Sequence, residues 1–181
     1  METEQHLLEA IRSGDRQAMR RLYERYVGYA MTIALRYIPD SDEAEDVVQD
    51  SFVRILTSIA QFRHQGEGSL SAWVSRIVAN QAVDHLRRRE RLSFVSDLPD
   101  DIADDEEPDI GDLPPGELTR MISRLPSGYR MVLNLYVFEH CPHKEIARQL
   151  GIKESTSASQ LLRARKMLAR MMKDYLKRQG T

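Results

Sequence analysis

The amino-acid sequence predicts an all-α protein built from two small helical domains, an N-terminal bundle and a C-terminal helix-turn-helix domain, joined by an acidic flexible linker. Three observations carry that expectation. Apolar residues recur at spacings of three and four along most of the chain, and no alternating run is long enough for a convincing strand. The stretch 92–116 holds nine acids, no base and four prolines, too little apolar area to offset the entropy of ordering it. Charge is also segregated: residues 1–91 carry a net −1, residues 92–116 a net −9 and residues 117–181 a net +8, inside a total of −2. Such a split points to a nucleic-acid partner for the basic end and a tether role for the acidic stretch.

The first domain, residues 1–91, reads as a three- or four-helix bundle. Residues 15–38 place Met19, Leu22, Tyr23, Tyr26, Ala30, Ile33 and Tyr37 at helical spacing, with Asp15 as cap and Pro39 as stop. A second helix spans about Ser41–Gln61, with the stripe Ala44, Val47, Val48, Phe52, Ile55, Leu56 and Ile59. Asp42, Asp46, Gln49 and Asp50 fall on a different face. The glycine-containing loop FRHQGEGS precedes a third helix, about Leu70–Arg91, in which Trp73, Ile77, Asn80, Asp84 and Arg87 or Arg88 share related faces. Asn80 and Asp84 read equally as internal hydrogen-bonding groups, and RRRER as a solubilising helix end.

Beyond the linker, the second domain at 117–181 opens with a short helix near Glu117–Arg124 and a helix started by Pro126. Pro142 then begins a helix that Gly151 ends by taking the left-handed conformation. Ile146, Ala147, Leu150 and Ile152 before and at the turn, and Leu161, Ala164, Leu168 and Met172 after it, let two helices bury one another, which is helix-turn-helix spacing. The second of these helices starts with the small residues Ser155, Thr156, Ser157, Ala158 and Ser159, which permit close approach to base edges. Arg163, Lys166, Arg170, Lys173 and Lys177 form a basic stripe suited to phosphates, with Ser159 on the same face. A solvated basic face on a helical hairpin would show the same residues.

Several functions are set aside at this level. No apolar run approaches the ~20 residues that span a bilayer, and METEQHLLEAIRSGD lacks the basic and apolar regions of a signal peptide, so a cytoplasmic protein is expected. The lone Cys141 makes no internal disulfide. HCPH at 140–143 is a single cluster pinned by Pro142, short of the spaced pairs that structural zinc wants, and no metal or other cofactor is expected. There is no GxxxxGK[ST] loop and no nucleophile elbow, and Asp84-His85 lacks partners, so an enzyme is not expected. A dimerising regulator would read a symmetric site but residues 1–91 show no sensor, and a pure protein adaptor would leave the basic stripe unexplained.

Residues 125–168, LPSGYRMVLNLYVFEHCPHKEIARQLGIKESTSASQLLRARKML, resemble the C-terminal promoter-reading region of bacterial sigma factors. DEAEDVVQDSFVRIL followed by SAWVSRIVANQAVDHLRRR resembles their polymerase-binding and promoter-opening region. Two matches in the right order, spanning nearly all but the linker, identify a resemblance to the extracytoplasmic-function group of the sigma-70 superfamily. It implies an RNA polymerase sigma factor whose partners are core RNA polymerase, through the β′ clamp helices and the β subunit, and promoter DNA. An anti-sigma factor is a further partner of such proteins, expected to overlap the polymerase-binding faces. Carried over position by position, Asp46, Gln49, Asp50 and Arg54 would dock on the polymerase. Arg63 and His64 in the loop 62–69, with Arg76, Asn80, Arg87 and Arg88, would meet the minus 10 element. Thr156, Ala158, Ser159, Gln160, Leu162, Arg163 and Lys166 would meet the minus 35 element. The chain departs from the family at Ala158, often basic, at Ser157, usually apolar, and at Gln160, often arginine, which leaves base readout to fewer side chains, Ser159, Gln160 and Arg163. As a flexible coil the 25-residue linker averages roughly 25 to 30 Å end to end and stretches to about 80 Å. Reading grooves more than ~34 Å apart favours an extended path. Its carboxylates would mimic nucleic-acid charge in the polymerase and screen the basic domain in the free chain.

Overall fold

The computed structural model describes residues 3–89 and 114–179, and these form helices and loops with no strand. The all-α expectation holds. The chain divides into two compact units, Met1–His85 and Leu86–Thr181. The acidic linker lies almost wholly outside the described residues. Among those residues no helix is long and apolar enough to cross a membrane.

The first unit opens with α1, Glu4–Arg12, capped by the Thr3 hydroxyl, which accepts the His6 N–H at 3.2 Å. Leu7, Leu8 and Ile11 are its buried apolar row. Gly14 turns the chain with φ +88°, and Asp15 caps α2, Arg16–Tyr37, by accepting the Gln17 N–H at 2.8 Å. Leu22, Tyr26, Ala30, Ile33 and Tyr37 are buried as the spacing predicts, joined by Ala18 and Ala34. Met19 is only half-buried, and Tyr23 remains 43% exposed because it lies at the margin of the stripe, its ring edge on Phe52 at 4.7 Å. The helix stops where Ile38 turns extended before Pro39, which disfavours the helical region in its predecessor.

Asp40 caps α3, Ser41–Ser58, accepting from Asp42 and Glu43 N–H, and α3 packs along α2. Its buried row is Ala44, Val47, Val48, Ser51, Phe52 and Ile55. Leu56 does not belong to that row as expected from sequence; it is 36% exposed, one step off the buried face. A 3-10 turn, Ile59–Gln61, tightens the end and buries Ile59. Then α4, Ser69–Arg89, buries Leu70, Val74, Val78, Ala79, Ala82 and Val83. Each of the fully buried leucine and valine side chains contributes roughly 1.5 to 3 kcal/mol by leaving water.

In the second unit α5, Pro115–Ser123, starts two residues before the expected Glu117, with a proline in its first turn. Arg130 is 7% exposed and donates from one nitrogen to the Ser123 and Leu125 carbonyls, filling acceptors that the end of α5 leaves open. Pro126 precedes α6, Ser127–Leu133, which the periodicity anticipated. It did not anticipate the π-helical turn Asn134–Phe138, closed by the Glu139 N–H on the Asn134 carbonyl at 3.2 Å. Pro142 then leads α7, His143–Leu150, and Gly151 ends it at φ +68°, ψ +34°, its N–H on the Ala147 carbonyl. The long α8, Glu154–Gln179, packs against α5, α6 and α7.

Candidate functional site

The face of α8 turned inward carries Ser157, Gln160, Leu161, Ala164, Leu168 and Met172, all buried. At 3.6 residues per turn, Ser159, Arg163, Lys166, Arg170, Lys173 and Lys177 fall on the opposite side. Arg170, Lys173 and Lys177 are exposed, while Ser159, Arg163 and Lys166 are half-buried. Ser159 folds its hydroxyl back onto the Thr156 carbonyl at 2.9 Å. Thr156 is half-buried, Ala158 exposed, and Leu162 56% exposed, an apolar side chain set beside the basic row. Gln160 departs from expectation. At 1% exposure, with its Oε1 lacking a hydrogen-bond partner, it belongs to the packing side and is withdrawn from the reading set.

Ser157, which stands where an apolar residue was expected, is fully buried and hydrogen-bonded to His143 Nδ1 at 2.9 Å. The His143 ring stacks on Tyr136 with centroids 4.6 Å apart. One histidine thus ties the start of α7 to the first turn of α8 and to the π-turn, a specific fixing of the angle at which α8 is presented. The HCPH segment therefore spends His143 on packing, and among the described residues no group of three His, Cys, Asp or Glu is placed to hold a metal ion.

In the first unit, Asp46, Gln49, Asp50 and Arg54 are all exposed on α3, away from its buried row. Val53, which sequence reasoning passed over, is 64% exposed between them on the same face. Glu43, on the flank, faces His85 of α4, with Nε2 3.3 Å from its carboxylate.

Arg76, Asn80, Arg87 and Arg88 are exposed along α4. Asn80 and Asp84 are not interior groups, since both side chains are exposed. Trp73 is half-buried, its ring 4.9 Å from Phe62. Arg63 is exposed in the loop before α4, whereas the His64 side chain, 19% exposed, turns towards Glu4 with Nε2 3.6 Å from its carboxylate. Gln5, Leu8, Glu9, Arg12, Arg63 and His64 line a cleft of about 360 Å³ between this loop and α1. The contribution of α1 was missed because its partners lie some sixty residues away. Thr3 as a cap followed by Leu7, Leu8 and Ile11 could have signalled the helix, but nothing local signals its partners.

The described surfaces are thus a basic face on α8, a polar face on α3, and a loop with a cleft beside exposed cations. Sigma-70 region 2 matches residues 22–92, and Sigma-70, region 4 matches residues 116–168. Among curated relatives, the ECF RNA polymerase sigma-E factor of Haemophilus influenzae is 30% identical, over 92% of this chain and 93% of its own length. The RNA polymerase sigma-H factor of Pseudomonas aeruginosa is 27% identical, over 97% of each. Among solved structures, the sigma factor RpoE bound to the anti-sigma factor NepR from Bartonella quintana superposes with a TM-score of 0.52 at 20% identity, covering 85% of this chain and 96% of that one, a likeness of fold.

Proposed function

This chain belongs to the extracytoplasmic-function group of the sigma-70 family, a factor that directs RNA polymerase to initiate transcription, and we propose how its parts divide that work. Residues 1–91 hold the polymerase and open the promoter, residues 117–181 read the duplex upstream, and residues 92–116 tether the two. The observation that carries this reading is α8, with one face wholly spent on packing and the opposite face basic, presented behind a left-handed Gly151.

On α3, Asp46, Gln49, Asp50 and Arg54, with Val53 at their centre, form the docking face for the β′ clamp helices, and an anti-sigma protein would compete for the same surface. For the minus 35 element, Thr156, Ala158, Ser159 and Leu162 lie nearest the bases and Arg163 and Lys166 meet phosphates. The loop with Arg63 and His64, its adjoining cleft, and Arg76, Asn80, Arg87 and Arg88 receive the opened non-template strand of the minus 10 element. Extruding a base costs a few kcal/mol, and stacking or pocket contacts return roughly 1 to 3 kcal/mol per base. The two nearly balance, so opening requires the polymerase. The chain acts by binding and makes no covalent step, needs no cofactor, and works in the cytoplasm beside the chromosome.

The test is reconstitution. The purified chain mixed with core RNA polymerase and genomic DNA should yield transcripts starting at a restricted set of positions that core alone does not use. Unchanged start sites would refute the reading.

A further inference from the structure

Resting on the reading that the loop before α4 receives the opened strand, we propose that Glu4 of α1 is a positioning residue for promoter opening, its buried carboxylate fixing the exit of that loop and the first turn of α4. Glu4 Oε2 accepts the backbone N–H groups of Gly68 and Leu70, each at 3.1 Å, and Oε1 accepts the Tyr26 hydroxyl at 3.0 Å. His64 stands 3.6 Å from Oε2, and the Glu4 side chain is 3% exposed. At the other end of the loop the Arg12 guanidinium donates to the Phe62 carbonyl. One nine-residue helix therefore grips the loop at both ends, while Arg63, Gln65 and Glu67 stay exposed between the grips.

A carboxylate taken out of water is costly unless its oxygens are satisfied. Here they are met by N–H groups that the start of α4 would otherwise leave open, and the negative charge sits at the positive end of the α4 dipole. A helix that merely covered a core would need no acid at this position. Gly66 and Gly68 both hold positive φ, +107° and +87°, a backbone conformation that side-chain-bearing residues rarely adopt, so the loop's path depends on two permissive positions and on what anchors its ends. Glu4 selects one shape, and with it the places of Arg63, Arg76 and Asn80. It lies outside residues 22–92, the segment matched by Sigma-70 region 2.

The experiment uses holoenzyme made from the full chain and core polymerase. Its template is a promoter fragment that the wild-type holoenzyme selects from genomic DNA, supplied fully duplex or with the minus 10 segment opened by mismatches. Glu4→Ala is expected to bind core as wild type does, to lose roughly tenfold or more in initiation on the duplex, as for a buried acceptor removed from its donors, and to recover most of that loss on the opened template. Glu4→Gln keeps an oxygen for the backbone donors and a polar group for Tyr26, and is expected to restore duplex initiation to within a few-fold. Wild-type initiation by Glu4→Ala on the duplex would overturn the proposal, as would a loss of core binding equal to the loss of initiation. Should Glu4→Ala fail to fold, Tyr26→Phe leaves the cap on α4 and is expected to show a smaller loss confined to the duplex; no difference between templates would again overturn it. If the wild-type chain itself confers no start-site selection, the functional reading fails first, a result seen without any variant.

Discussion

Asp15 accepts the Gln17 N–H at the start of α2, and that bond, with the nearby Arg21 charge, holds its carboxyl below the ordinary value of 3.8. A carboxylate lowered on folding contributes stability that is fully present above its unfolded pKa and is lost as pH falls through the folded one. Asp15→Ala should therefore destabilise the chain at pH 7, and the gap to wild type in denaturant titrations should narrow below about pH 4; a gap constant down to pH 3 would contradict this. Gln160 gives the opposite kind of prediction. Its Oε1 is buried without a partner, so Gln160→Leu removes a desolvation cost and should raise stability by on the order of 1 kcal/mol while leaving promoter selectivity unchanged. Altered base preference in promoter binding by that variant would restore Gln160 to the reading face. The cap at Asp15 was legible because capping is decided within three residues. Gln160 was not, because its position sits at the edge of the packing stripe and only the surrounding helices decide which way it turns.

At the scale of elements, α8 carries the most consequence. Its basic row should act through counterion release, so Lys166→Ala is expected to weaken promoter binding by the holoenzyme for all sequences alike and to reduce the slope of log affinity against log salt by about 1. Loss of preference at one base position with an unchanged slope would instead make Lys166 a base reader. The helices at 16–37, 41–58, 143–150 and 154–179 were legible from period, caps and Gly151, since each signal is local. The π-turn at Asn134–Phe138 was not: the Asn134 side chain donates to the Arg130 carbonyl at 2.8 Å while its own carbonyl closes a wider turn, a choice made by burial rather than by spacing. The exposed Val53 on α3 was hidden for a related reason, because a single apolar residue on a polar face leaves no periodic trace.

Across the whole molecule, the described helices fall before and after the acidic stretch, with the proposed opening and docking surfaces in the first group and the basic helix last. That order, and the two-domain all-α class, were legible because composition changes abruptly at residue 92. The anchoring of the loop by Glu4 was not, since a buried acid and its donors sit up to 66 residues apart. The central claim is a division of labour along the promoter, and directed cleavage tests it most directly. A chelated iron attached at Glu67→Cys or at Ala158→Cys, each in a Cys141→Ser chain, is carried into the holoenzyme on one promoter. Cuts from position 67 are expected in the opened strand near minus 10, and cuts from position 158 in the duplex near minus 35. Cuts from both positions in the same segment would contradict the account.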